Sequence, residues 1–247
     1  MRRPTERSDR VASVDVIADP GGSFGYLLRS GPRARIGLAR GRGSACGSTG
    51  AAVAWLLVEG GEGELVIGEL HADVGGRDDV FEGPGWSALL GPRQRFAVRG
   101  NIRYSIAWRV RSRPATTRLL SPDEVEVERR GSRSDDRLVA TYVEEGPLIC
   151  GETVSEPGCW STWPPHRHEH EEVCLYRFDP AHGFGVRVLD TKEGDRRADI
   201  VREGQARRVR TGHHTVAAAP GARMYSLWAL GGETDERVAT EFDPRLA

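Results

Sequence analysis

The segment Ala52-Val53-Ala54-Trp55-Leu56-Leu57-Val58-Glu59-Gly60-Gly61-Glu62-Gly63-Glu64-Leu65-Val66-Ile67 sets the fold class. It holds two apolar runs, Ala52–Val58 and Gly63–Ile67, too short for ordinary helices and rich in residues that suit strands. The glycine pair between them reads as a turn. The same rhythm extends in both directions. Upstream lies Arg35–Ala39; downstream come Trp86–Leu90 and Tyr104–Val110, punctuated by Gly75-Gly76, Gly83-Pro84-Gly85 and Gly91-Pro92. Further runs follow at Leu138–Val143, Glu172–Phe178, Gly185–Leu189, Ala206–Val209, Thr215–Ala218 and Met224–Leu230. Strands at this spacing, with no long amphipathic helix, predict an all-β sandwich or barrel. The single helix candidate is short, Ser121–Val125, with an N-cap serine, proline at the first helical position and early acids.

A charged, proline-containing stretch from Arg111 to Arg130 separates two sets of strands, so the chain divides into residues 1–115 and 116–247. With 247 residues, 38% hydrophobic and 29% charged, it has the composition of a globular protein. The net charge of −1 with dispersed arginines gives no footprint for nucleic acid. No apolar run is long enough for a membrane span, and no signal peptide is recognised at the N-terminus, so a cytoplasmic location and no membrane partner are expected. Cys46, Cys150, Cys159 and Cys174 form no C-x-x-C pair and are expected to be free thiols. The only lysine, Lys192, falls in a polar stretch that reads as a hairpin turn, which argues against lysine chemistry.

Chemistry concentrates in Trp163-Pro164-Pro165-His166-Arg167-His168-Glu169-His170-Glu171-Glu172-Val173. Side chains two apart on an extended chain point the same way, so His166 and His168 can face one ion. Glu172 opens the next apolar strand and can return a carboxylate. Gly212-His213-His214-Thr215 supplies a further imidazole before another strand. We take His214 as that ligand, with His213 as its competitor. Glu169, His170 and Glu171 read equally well as solvated turn residues. Three imidazoles and a carboxylate, with one or two open positions, suit a divalent metal ion, Zn, Mn, Fe or Ni, without choosing among them.

These segments resemble a known family. Trp160-Ser161-Thr162-Trp163-Pro164-Pro165-His166-Arg167-His168, Glu171-Glu172-Val173, Gly183-Phe184-Gly185 and His214-Thr215-Val216-Ala217-Ala218-Ala219-Pro220-Gly221 are similar to the 5-deoxyglucuronate isomerases of myo-inositol catabolism. So are Gly76–Pro84 and Ser121–Gly131 in the first half and at the boundary. These isomerases are cupins, related to the pectin-pathway ketol-isomerases.

The resemblance implies a bicupin: two β-barrels (double-stranded β-helices) in tandem. The barrel of residues 1–115 would lack metal ligands, and the barrel of 116–247 would hold the ion on His166, His168, Glu172 and His214. It implies aldose–ketose isomerisation of a small-molecule sugar acid, with a homo-oligomer left open. A catalytic base is needed, and Glu171, His213 and Tyr176 are the candidates. Arg177 and Arg187 are candidates for the sugar carboxylate, although strand parity turns Arg177 outward toward an ion pair.

The chain departs from the family pattern in several places. The acidic insertion between H-x-H and E-E-V is nearly gone. Cys174 stands for a tyrosine, Arg210 for a proline, Trp228 for an asparagine and Ala140 for a histidine. The expected consequence is a site roomier and less polar beside the metal. Two other readings of the same ligand set are a sugar-binding bicupin that does not isomerise and a metal-dependent dioxygenase.

Overall fold

The computed structural model describes residues 14–31, 34–110, 114–191, 195–232 and 239–246. Its first half supplies β1 (Asp15–Ala18), β2 (Ser23–Leu28), β3 (Ile36–Arg42), β4 (Ala45–Ser48), β5 (Val53–Ile67), β6 (Leu70–Val74), β7 (Ser87–Leu90), β8 (Arg95–Arg109) and β9 (Arg118–Leu120). They build one nine-stranded sheet ordered β1-β4-β8-β5-β7-β9, with β2 on β3, β3 also on β8, and β6 on β5.

The second half supplies β10 (Val127–Arg130), β11 (Arg137–Val143), β12 (Ile149–Ser155), β13 (His166–Arg167), β14 (Glu171–Asp179) and β15 (Phe184–Asp190). It continues with β16 (Arg196–Arg202), β17 (Ala206–Val209), β18 (His213–Ala218), β19 (Arg223–Gly231) and β20 (Glu241–Phe242). These form a six-stranded sheet, β10-β11-β12-β19-β14-β17, and a five-stranded sheet, β16-β15-β18-β13-β20. The fold is all-β as expected, with each sheet open rather than closed into a ring among the described residues.

Among the described residues, helix is limited to the 3-10 turns Pro122–Glu124 and Arg133–Asp135. The helix expected at Ser121–Val125 is the first of these. The Glu124 carboxylate accepts the Ser121 N–H at 2.7 Å and the Ser121 hydroxyl at 2.9 Å, which closes the turn locally. No helix among the described residues is long and apolar enough to cross a membrane. All four cysteines are free. Lys192 lies outside the described residues, and the strands on either side of it, β15 and β16, pair antiparallel with Asp190 opposite Arg196.

The turn expected at Gly60-Gly61 is not there. The chain runs on as the single strand β5, paired along β8, and the register shifts between Val58 and Gly60. Glu59 is the extra residue of this bulge. Gly61 takes a φ of +93°, and a Cβ there would sit 2.0 Å from the Asn101 carbonyl oxygen. The two glycines therefore permit a bulge in a long strand.

Strand β14 shows how alternation positions the site. Val173 and Leu175 point into a core shared by both halves, where they meet Ile36, Leu38, Trp55, Leu57, Tyr225 and Leu227. Cys174, Tyr176 and Phe178 point the other way, into a second core with Val201, Val216, Ala218 and Met224. That second core lies between the six- and five-stranded sheets. Successive residues from Val173 to Tyr176 thus alternate between two interiors, as a period of two requires. Truncating Leu175 or Leu227 to alanine would cost about 2–5 kcal/mol.

Buried charges also join the halves. Arg77 of the first half pairs with Glu152 on β12 at 2.9 Å, and the Tyr225 hydroxyl donates to the same carboxylate at 2.7 Å. Tyr142 donates to its other oxygen. Arg177 on β14 pairs with Glu59 at 3.3 Å, with Asp79 at 3.4 Å and with Glu203. The outward parity expected for Arg177 thus ends in ion pairs, away from the cavity.

Candidate metal centre

The site forms where the edge of the five-stranded sheet meets β14. His166 on β13 lies opposite His214 on β18, so antiparallel pairing brings the two imidazoles together with ring centroids 4.4 Å apart. His168 follows β13, and its ring lies 5.1 Å from that of His214. Glu172 enters from β14. Its Oε2 sits 3.1 Å from His168 Nε2 and 2.8 Å from His214 Nε2. One ligand-capable atom from each of His166, His168, Glu172 and His214 lies within 4.8 Å of every other.

The chemistry of the donor set fits a cation. His168 Nδ1 faces the His170 carbonyl oxygen at 2.8 Å, and His214 Nδ1 faces the Gly212 carbonyl oxygen at 3.2 Å. Each carbonyl accepts the Nδ1 proton, which leaves Nε2 of the neutral ring with a lone pair. Both lone pairs then confront the same carboxylate oxygen, acceptor against acceptor. A divalent ion between them resolves that conflict; otherwise a second proton on a ring must. His166 Nδ1 is buried with no partner.

Electrostatics agree with the geometry. Burial, together with neighbouring His214, pushes the His166 pKa down to about 3, so this ring is neutral and ligand-competent at ordinary pH. Burial works most strongly against charge on His168, but the hydrogen bond and negative charge of Glu172 together with backbone hydrogen bonding outweigh it and raise its pKa. Burial likewise opposes ionisation of Glu172. The bonds from His168 and His214 overcome that penalty and hold its carboxyl well below the usual range.

The centre lies in a cavity of about 290 Å³, near the lower end of the roughly 300–1,000 Å³ usual for small-molecule sites. His170, Cys174, Tyr176, Arg187, Trp228 and Phe242 are among its lining residues. Of the three base candidates only Tyr176 lines it. Burial raises the Tyr176 pKa well above its ordinary value, so the phenol keeps its proton.

Glu171 is turned away. It accepts the Ile36 N–H at 3.0 Å and pairs with Arg208 at 3.3 Å, so it ties the two halves together. His213 is half-buried outside the cavity, on the side of Asp243. Both neighbour a ligand in sequence, and alternation sends both to the opposite face. His170, read as a solvated turn residue, is instead buried at 2% exposure and forms part of the wall.

The departures from the family pattern also fall into place. Ala140 packs in the core between the halves, and the Arg210 side chain is 60% exposed; neither lines the cavity. Cys174 and Trp228 do line it, and they are direct partners across β14 and β19. The small residue thus faces a large one, and the room expected beside Cys174 is shared with an indole. Trp228 Nε1 donates to Thr153 Oγ1 at 3.0 Å, and Cys174 Sγ donates to Glu172 Oε1 at 3.1 Å.

With this geometry in hand, known proteins can be compared. The model of the KduI/IolB family matches residues 34–247. The chain belongs to the KduI/IolB family. A protein named 5-deoxy-glucuronate isomerase from Geobacillus kaustophilus is 31% identical over 183 residues. That alignment covers 66% of this chain and 66% of the relative, just under two thirds of its length. Among solved structures, an IolB-like protein from Salmonella typhimurium LT2 superposes with a TM-score of 0.81 at 22% identity, covering 86% of this chain and 89% of that one. A cupin 2 conserved barrel domain protein from Leptotrichia buccalis gives a TM-score of 0.51 at 12% identity, over 85% and 88% of the two chains. At these identities the two structures speak to the fold, which is all-β with cupin-like neighbours.

Proposed function

We propose that this KduI/IolB-family chain is a metal-dependent aldose–ketose isomerase acting on a deoxy-uronic acid such as 5-deoxyglucuronate, in inositol catabolism. The carrying observation is the convergence of three imidazoles on one carboxylate, two of them fixed by backbone carbonyls, at the wall of a cavity. Family membership supplies the reaction class. The proposal includes a bicupin arrangement with the ion held in the half of residues 116–247, a small sugar acid as partner, and a cytoplasmic setting.

His166, His168, Glu172 and His214 would hold the ion, Zn or Mn by preference. When bound, it supplies Lewis-acid polarisation of the substrate carbonyl. The reaction also needs a base; Glu171 and His213 lie outside the cavity and Tyr176 keeps its proton, so none of these three takes that part. Isomerisation removes a proton from the carbon next to the aldehyde and delivers one to the aldehyde carbon. Tyr176, kept protonated, is suited to donating a hydrogen bond to a substrate oxygen on which charge develops. Phe242, His170 and Trp228 at the wall limit water around the reacting carbons.

A second reading is a divergent binder that grips a sugar acid without isomerising it. It is favoured by Cys174 and Trp228, which set a thiol and an indole where the resemblance implies a phenol and an amide. Metal analysis of the purified protein followed by NMR of added 5-deoxyglucuronate separates the two. Appearance of the ketose, lost on chelation and restored by metal, supports the isomerase. An unchanged sugar spectrum with a metal-loaded protein would overturn it, and oxygen uptake would mark a dioxygenase instead.

A further inference from the structure

Arg187 lies on β15 directly opposite Asp199 on β16 and Val216 on β18. Its side chain is 14% exposed and lines the same cavity as the His/Glu cluster. Nε donates to Asp199 Oδ1 at 2.8 Å. Nη1 is buried and has no acceptor. A buried guanidinium N–H with no partner is costly, and such a group facing a cavity is explained when a ligand supplies the acceptor.

The charge balance points the same way. Asp199 is shared: its Oδ2 accepts from Arg207 Nε at 2.9 Å. One carboxylate thus stands between two guanidiniums and leaves one positive charge uncompensated. Asp199 also fixes the plane of the Arg187 fork, with Nε held and the guanidinium kept at the cavity wall.

Position then sets what the group can meet. Arg187 pairs with Val216, and His214 lies two residues earlier on the same strand and face. Two residues of strand span about 7 Å. An extended six-carbon sugar acid can therefore reach from Arg187 with its acid end to the His/Glu cluster with its aldehyde end. A neutral sugar could offer a hydroxyl oxygen there, but it would leave the positive charge unbalanced and could not accept in the bidentate way a carboxylate does.

We propose that Arg187, oriented by Asp199, is the receptor for the carboxylate of the sugar acid and sets the preference of the cavity for an anionic over a neutral sugar. This deepens the isomerase reading and rests on it for the identity of the substrate. Asp199 acts through Arg187 and is a positioning residue.

The test uses the full chain and two matched sugars. One is 5-deoxyglucuronate; the other is 5-deoxyglucose, which carries CH2OH in place of the carboxylate. Their aldehyde-reduced forms cannot isomerise and serve as binding probes by calorimetry. Arg187→Gln should raise KM for 5-deoxyglucuronate, and weaken the reduced acid, by about ten- to hundredfold. Its effect on kcat and on the neutral pair should be small. Arg187→Lys keeps the charge without the fork and should lose less, which also guards against a misfolded Gln variant. Asp199→Asn should fall between the two.

The two proposals fail separately. If the wild type binds the reduced acid through Arg187 but forms no ketose, the isomerase reading fails and the receptor stands. Turnover with the same KM in wild type, Arg187→Gln and Arg187→Lys would sink the receptor and leave the isomerase intact. No preference of the wild type for the acid over the neutral probe would also overturn it.

Discussion

Glu152 on β12 and Glu172 on β14 are both buried carboxylates on the two strands that flank β19 in one sheet, yet they serve opposite ends. Glu152 faces the core between the halves and is saturated by Arg77, Tyr142 and Tyr225. Glu172 faces the cavity and meets His168, His214 and the Cys174 thiol. Guanidinium and phenol donors always carry their protons there, so they close the coordination of Glu152 for good. Imidazoles whose Nδ1 is already bonded to a carbonyl offer lone pairs, and Glu172 is left open to a cation. Partner type, more than burial, separates a structural carboxylate from a ligand.

The largest effect should come from breaking the cavity side. His166→Ala and His214→Ala should each take bound metal from stoichiometric to background, read by elemental analysis. His213→Ala should leave it unchanged. Loss of metal in His213→Ala but not in His214→Ala would mean the neighbouring histidine was misassigned.

Breaking the interface side should do the reverse. Glu152→Gln removes the charge partner of Arg77 and should destabilise by about 3–5 kcal/mol, as loss of one member of a buried pair does. Thermal unfolding measures it. At low temperature the folded variant should still bind metal, because Glu152 lies on the opposite face of the sheet. A variant that keeps wild-type stability but loses metal would erase the distinction drawn above.

The metal-stripped protein sharpens the comparison through pH. The His166 pKa of about 3 lies below the ordinary histidine value near 6.5. The unfolded chain therefore binds the proton first. This residue takes away stability as pH falls from about 6.5 toward 3, by at most about 1.4 kcal/mol per unit. His168 has the opposite sign, since its pKa is raised. Its contribution is full below about 6.5 and is lost as pH rises through its folded value. In stripped protein, His166→Gln should therefore flatten the acid-side loss of melting temperature below about pH 6.5, whereas His168→Gln should leave that slope unchanged and remove the gain in stability on acidification from above about 6.5.

The smallest effect concerns Cys174. A tyrosine alone at this position must compete with Trp228 directly across the strand pair. Cys174→Tyr should cost about 1–3 kcal/mol from overpacking and should not by itself improve turnover. The double variant Cys174→Tyr/Trp228→Asn should recover stability and raise kcat/KM for 5-deoxyglucuronate. A single variant as stable as wild type would show that the indole yields the space.

Much of this site is legible in local sequence because a strand has a period of two. That periodicity puts His166 and His168 together. It also separates Glu172 from Glu171, and could have excluded Glu171 as a base. It makes Arg177 face away from Cys174 and Tyr176. Ligand types are equally local, and they limit the metals. What only the tertiary structure decided is who stands across from whom. Pairing between strands distant in sequence set Cys174 opposite Trp228, packing of the two halves set Arg77 against Glu152, and the register of β15 on β16 set Arg187 opposite Asp199. It drew β5 straight through Gly60-Gly61, because β8 offered pairing on both sides of the bulge. It also buried His170 beside Gly232. Composition and alternation fix the face on which a side chain lies; the partner it meets there depends on contacts between strands remote in the chain.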